Sequence, residues 1–440
     1  MVQSNRRVAV VLVSAVVVGL TACSSGGSGG ASDTGTGSAK AQDPATPITV
    51  LVDDTRKAPA EAWAKAHPSP AITVQVADNT QGAIPSKIAL AKKSGEKLPD
   101  VVFLSQPDEL ATLAANPVNY PLDLKTVVDA GTLGSFAKGS VERCTFQGKV
   151  YCLPNDIAQT VLYYNKTLFD KWGYTVPTTF DAWRELGERV AKEHPGYSLG
   201  SVSGRYGTDA YYGSSGCPLN ASSSPTEVKI NVTDPACARV NAVIGPLMAN
   251  GTLSTLDPFD ANYVKTVSGG KLLAAIMPSW FGAYGIKPNY KKNGDYAVAA
   301  MPTWAGASDT TSGAVGGGLW LVSATSGNVK AATDFVKALT TDEKILVTAP
   351  TYPANTPGAT AWLKATSADK WYAQDPSAVY ADQAGKISPT LGYVRYQTQL
   401  LDAYNSTVVA GKGKDIDSAL ASFGERISQA AQAAGYSVSK

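Results

Sequence analysis

Between Ile48 and Leu104 the chain alternates short apolar strands with helical stretches, and this order limits what it can fold into more than any other feature. Ile48, Val50 and Val52 alternate as in a strand, and a helical stretch Ala58–His67 stops at Pro68. Ile72–Val76 reads as a second strand, Ser86–Ser94 as a second helix, and Val101–Leu104 as a third strand. A β-α-β-α-β order predicts an α/β protein, with a parallel sheet and helices packed on its faces. Farther along, Thr178 is placed to cap a helix with Trp183, Leu186 and Val190 on one side, ending before Pro195. Asn328 is placed to cap another with Ala332, Phe335, Val336 and Leu339 inward, and Asp415–Ala434 is again helical in pattern.

The segment ahead of Ile48 has a different composition. Arg6 and Arg7 precede an apolar run, Val8–Leu20, that is too short for a hydrocarbon core of about 30 Å, so residues 1–22 are expected to be a signal peptide. Leu20-Thr21-Ala22-Cys23 resembles the lipobox of bacterial lipoproteins, which implies that Cys23 is acylated and becomes the first residue. Ser24–Pro47 has the Ser/Gly/Thr/Ala composition of a flexible linker, with a coil span on the order of 25–30 Å. The whole chain has 38 Lys and Arg against 36 Asp and Glu. Cleavage before Cys23 removes two arginines and no acid, leaving 36 of each, a neutral protein and no nucleic-acid binder. A mean hydropathy of −0.07 excludes a multispanning membrane protein. The only two histidines, His67 and His194, both precede proline, so neither a metal site nor a Ser-His catalytic pair is expected, and no cofactor is implied.

Cys144, Cys152, Cys217 and Cys237 remain after Cys23, and four cysteines outside the cytoplasm suggest two disulfides with three possible connectivities. Proximity favours Cys144–Cys152 and Cys217–Cys237, the first across a hairpin with the loop Gln147-Gly148-Lys149. A zinc site is the alternative, but no C-x-x-C is present.

Gly148-Lys149-Val150-Tyr151-Cys152-Leu153-Pro154 is followed by Leu162-Tyr163-Tyr164-Asn165-Lys166-Thr167-Leu168-Phe169 and by Val176-Pro177-Thr178-Thr179-Phe180-Asp181-Ala182-Trp183. With Pro99-Asp100-Val101-Val102 before them, and Gly270–Trp280, Met301–Gly306, Gly316–Gly318 and Ala331–Val336 after, the run resembles the family 1 extracellular solute-binding proteins, the sugar-binding lipoproteins of bacterial ABC importers. Ser279 stands where that family usually has Gly. The resemblance implies a two-lobe, type II periplasmic-binding-protein-like fold whose lobes are joined by crossings near Ala158, Ala314 and Tyr352. The N-lobe would be residues 48–157 plus 314–352, and the C-lobe 158–313 plus 353–440.

Ligands of such sheets bind outside the carboxyl ends of the strands, which selects loop residues as candidates. Asp53, Asp54 and Arg56 follow the first strand, Asp54 foremost; a carboxylate and a guanidinium suit sugar hydroxyls, whereas a solvated turn with a helix cap is the plainer reading. Ser105 and Gln106 follow the third strand, and Asn155 and Asp156 face the cleft by analogy or else cap a turn. Trp280 is the foremost candidate, because a pyranose presents an apolar C–H face to an aromatic ring. Trp304 and Trp320 adjoin strand patterns where a core role is natural, Tyr211 or Tyr212 is a candidate for the C-lobe wall, and Gly317 allows close backbone approach. Arg395, between Tyr393 and Tyr396, either reaches a sugar oxygen or makes a surface salt bridge.

The implied function is a monomeric, lipid-anchored, extracytoplasmic receptor that captures a mono- or oligosaccharide between two lobes and delivers it to the transmembrane subunits of an ABC permease. A receptor for another solute, a peptide or polyamine, would need acids framing an aromatic box, for which Asp53, Asp54 and Asp156 are available. A secreted carbohydrate-active enzyme would need two carboxylates flanking one bond, typically about 5–5.5 or 6.5–9.5 Å apart, and no pattern pairs two acids that way.

Overall fold

A computed structural model describes residues 42–440 apart from 225, 308–310 and 388–393. The expected signal peptide and Cys23 lie outside the described residues. The linker, expected to run to Pro47, already docks at its end: Gln42 donates to the Ser326 carbonyl (2.9 Å), and Asn328 Nδ2 to the carbonyls of Pro44 and Thr46 (both 2.9 Å).

The first sheet has the order Ile72–Val76, Ile48–Val52, Val101–Leu104, Leu319–Val322, Leu153–Pro154. Its first three strands are parallel, as the β-α-β-α-β order predicts, but Leu319–Val322 joins antiparallel to both of its neighbours. Val101–Leu104 is therefore central, and all four of its residues are buried. A second sheet, Ala274–Pro278, Thr160–Asn165, Tyr296–Ala299, is antiparallel throughout, and its middle strand is buried along its length. Between the two sheets three stretches of chain run side by side. Gln159 pairs with Ala314 and Asp156 with Pro353, while Val315 N donates to Ala158 O (3.1 Å) and Ile157 N to Tyr352 O (3.1 Å).

The first helix, Asp54–Ala66, begins earlier than the pattern from Ala58 suggests, because Asp53 caps it by accepting from Thr55 N. Thr179, not Thr178, caps Phe180–Glu193. The reason is that the Thr178 carbonyl still accepts from Thr303 N (2.9 Å), so the chain turns into the helix one residue later. Asn328 caps Val329–Thr341, as expected.

Both disulfides pair by proximity, Cys144 with Cys152 and Cys217 with Cys237. The first spans a tighter hairpin than expected: Thr145 pairs with Val150 and Phe146 with Lys149, leaving Gln147-Gly148 as a two-residue loop. Both have positive φ (51° and 77°), as a type I′ turn requires. The second closes a separation of 20 residues and ties the Gly213–Ser215 region to the helix Pro235–Ala249. Replacing Cys217 and Cys237 by alanine should lower the unfolding free energy by about 2–3 kcal/mol, and losing Cys144–Cys152 should cost less because its loop is shorter. Urea titrations of the two double variants check the order.

Candidate functional site

The loop after the first parallel strand supplies an acid and a cation. Asp53 is fully buried; its Oδ1 accepts from Thr55 N (2.9 Å) and Thr55 Oγ1 (2.5 Å), while its Oδ2 has no partner among the described residues. Arg56 turns inward from the first turns of the helix. Its guanidinium lies 4.7 Å from the centre of the Phe103 ring and donates to Tyr284 Oη (3.2 Å) and Asn155 Oδ1 (3.4 Å). It also pairs with Asp156 Oδ1 at 3.7 Å. Asp156 Oδ1 accepts in addition from Gly318 N and Asn155 Nδ2 (both 2.8 Å), and Asn155 Oδ1 accepts from Trp320 Nε1 (3.0 Å). Burial pushes the Asp156 carboxyl above the usual range, with Arg56 foremost among the groups pulling it back. Asn155 and Asp156 are thus occupied by the protein itself and hold Arg56 in place.

An aromatic wall faces this polar group. Trp280 follows the strand Ala274–Pro278, is half-buried, and donates its indole N–H to Val315 O (2.8 Å). A π-helical turn, Gly282–Ile286, brings Tyr284 to 6.4 Å from Trp280 between ring centres, so Tyr284 links Trp280 to Arg56. Tyr206 meets the Trp280 ring edge-on at 6.5 Å, and Phe259 lies parallel to it at 6.3 Å. Gly316 has φ +88°, and a Cβ there would stand 3.6 Å from Trp280 Nε1 and 3.8 Å from Ser105 O, so Trp280 and the loop after the third strand meet at one point.

A second polar group closes the other side. Arg205 bonds to Asp108, to Gln81 Oε1 (2.9 Å) and to Asp209 Oδ2 (3.3 Å), joining the loops of the first sheet to the segment before the π-helical turn Thr208–Tyr212. Burial pushes Asp209 up, and burial raises Glu109, beside Asp108, to about 8. Because Glu109 ionises near 4.5 when unfolded, the folded state keeps the proton between 4.5 and about 8. Its stabilisation, full below 4.5, is lost as pH rises through that window, by up to about 1.4 kcal/mol per pH unit. Urea unfolding at pH 5, 6.5 and 8 should show this decline in the native chain and a weaker one in Glu109→Gln.

The structure brings Asn155, Asp156 and Trp280 together, with Gln106 half-buried beside Ser105. Gly317 (φ +104°) adjoins them but packs on the stretch 156–158, where a Cβ would lie 3.3 Å from Asp156 O. Five expected residues lie elsewhere or face away. Asp54 is exposed on the first helical turn, and Asp53 and Arg56 take the inward positions. Tyr211 is fully buried against Phe180, and Trp304 stacks on Phe180 at 3.5 Å and donates to Ser214 Oγ, so neither shows a face to the site. Arg395 packs over Tyr436 and donates to Ala434 O. Trp320 is fully buried in its strand and acts through Asn155. Tyr206, Arg205, Asp108, Tyr284 and Phe259 were not singled out from the sequence. An Arg-Tyr pair after Gly204 was the available signal for two of them; the π-helical turn that aims Tyr284 has none.

The profile of the bacterial extracellular solute-binding proteins matches residues 50–345. The chain belongs to that family. The lactose-binding protein of Rhizobium radiobacter is 21% identical over 298 residues, 64% of this chain and 66% of that protein. The sn-glycerol-3-phosphate-binding periplasmic protein of Yersinia enterocolitica is 26% identical over 258 residues, 56% of this chain and 58% of that protein. The chain therefore spans less than two thirds of the length of these curated relatives. The solved ABC transporter-associated binding protein of B. animalis subsp. lactis, in complex with beta-1,6-galactobiose, has a TM-score of 0.75 at 20% identity, covering 90% of this chain and 99% of that one. The shared fold is the two-lobe, type II periplasmic-binding-protein fold. As a member of an extracellular family, the protein works outside the cytoplasm.

Proposed function

We propose that this solute-binding protein captures a neutral mono- or oligosaccharide in the cleft between its lobes and hands it, unaltered, to an ABC permease. The observation that carries this reading is the half-exposed Trp280, set among Tyr206, Tyr284 and Phe259 with the Arg56 cluster on one side. An apolar ring face beside a few fixed polar groups is what a pyranose needs. The names of the lactose- and galactobiose-binding relatives agree with it. The glycerol-3-phosphate relative raises a phosphorylated solute as a second reading. Against it, both cations of the site are already paired, Arg56 with Asp156 and Arg205 with Asp108 and Asp209, so little positive charge is left for a phosphate.

In this reading the lobes are residues 48–157 plus 314–352 and 158–313 plus 353–440, and the side-by-side stretches at Ala158, Ala314 and Tyr352 are the hinge. The mature chain is a monomer tethered through lipidated Cys23, and no bond of the solute is made or broken. Titrating the mature protein with mono- and oligosaccharides, glycerol 3-phosphate, spermidine and short peptides, followed by Trp fluorescence and product analysis, tests it. A saturable response to a sugar recovered intact is expected. Hydrolysed product, or a response only to the other solutes, overturns it.

A further inference from the structure

Among the described residues five large hydrophobic side chains are exposed: Val76, Leu90, Val127, Leu256 and Phe259. Single exposed apolar residues are ordinary. Leu256 (40% exposed) and Phe259 (52%), however, sit on one turn, and that turn adjoins the aromatic wall. The Phe259 ring lies within 14° of parallel to Trp280 with 6.3 Å between centres, and its edge rests on Phe281 at 6.2 Å.

The turn is held firmly. Leu256 O accepts from Ser201 Oγ (2.6 Å), Leu256 N donates to Ser254 Oγ (3.1 Å), and Phe259 N donates to Asp257 Oδ1 (2.8 Å). Asp260 N donates to Asp257 O (2.9 Å), and Asp260 then caps the helix Ala261–Ser268. A phenylalanine fixed this way and half in water extends the apolar surface of Trp280 outward. Tyr284, bonded to Arg56, adjoins the same ring and is less exposed than Phe259, so the site runs from partly buried hydrogen-bonding groups to an exposed aromatic ring.

We propose that the Leu256–Phe259 turn is an outer subsite. There the second ring of an oligosaccharide lays its C–H face on Phe259 while the first ring occupies Trp280, so the receptor selects for chain length at this turn. The proposal rests on the sugar-binding reading above. The exposed carboxylates of Asp257 and Asp260 flank the Phe259 ring, so the apolar contact lies on Phe259 and charge is present only at its margins.

The test titrates galactose, lactose, beta-1,6-galactobiose and maltotriose into the mature protein and into Phe259→Ala and Phe259→Tyr, with thermal melts of all three. The native chain should bind at least one di- or trisaccharide about tenfold or more tighter than galactose. Phe259→Ala should remove most of that difference by weakening the longer sugars several-fold more than galactose, with little change in melting point, and Phe259→Tyr should restore it. Equal weakening of galactose and the longer sugars, no weakening of either, or equal native affinity for both overturns the outer subsite and leaves the sugar-binding reading standing. A native chain silent to every sugar overturns both.

Discussion

Replacing Trp280 by alanine is expected to weaken sugar binding by about tenfold or more while leaving the protein folded. The ring is half-buried, and its own structural duties are one hydrogen bond to Val315 O, edge contacts with Tyr206, Phe281 and Tyr284, and a parallel contact with Phe259. Loss of that bond and of part of the packing should lower stability by no more than about 2 kcal/mol. Loss of the stacking face removes the aromatic surface on which the proposed sugar contact rests. Fluorescence cannot report on this variant by itself, so calorimetric titration and a thermal melt are the measurements. An unchanged dissociation constant would remove Trp280 from the site.

Arg56→Met should act in the opposite way, with stability as the larger effect. Asp156 is buried, and Arg56 is the cation that offsets its charge. Taking away one partner of a buried pair leaves an uncompensated charge, at a cost of roughly 3–5 kcal/mol. Without Arg56 the folded-state carboxyl rises still further above its ordinary value, so stability is retained at low pH and lost as pH increases. The deficit should be larger at pH 8 than at pH 5, and Asp156→Asn in the same chain should recover part of it. A loss below about 1 kcal/mol at pH 8 would mean that Asn155 and the Gly318 amide carry Asp156 alone.

The order of strands and helices near the N-terminus was legible because β-branched alternation and proline stops are local. Pairing that depends on distant chain was not, and Leu319–Val322 entering antiparallel beside Val101–Leu104 is the clearest case. The disulfide partners followed from proximity, yet the hairpin between Cys144 and Cys152 is one residue tighter because Gln147 accepts a positive φ. In the candidate site, a motif pointed to Trp280 and neighbourhood to Asn155 and Asp156. Tyr211 and Trp304 were misplaced for one reason: residue type says that an aromatic near a loop can stack on a ligand, but only packing shows that Phe180 already covers both. Tyr284 depends on a π-helical turn, where one extra residue changes the direction of a side chain without altering the hydrophobic pattern. Phe259 was missed because an isolated phenylalanine between Asp257 and Asp260 carries no periodicity at all.

Pairing Val101–Leu104 with Leu319–Val322 has a consequence in time. The first sheet joins residues separated by about 200 positions, so its middle stays open until most of the chain exists, and the loop closure behind it is entropically unfavourable. Topologies so rich in distant contacts fold slowly. For a protein of an extracellular family, this delay lengthens the interval in which the chain remains extended and threadable, and the sheet that begins first is completed only after every strand of the second sheet has been made.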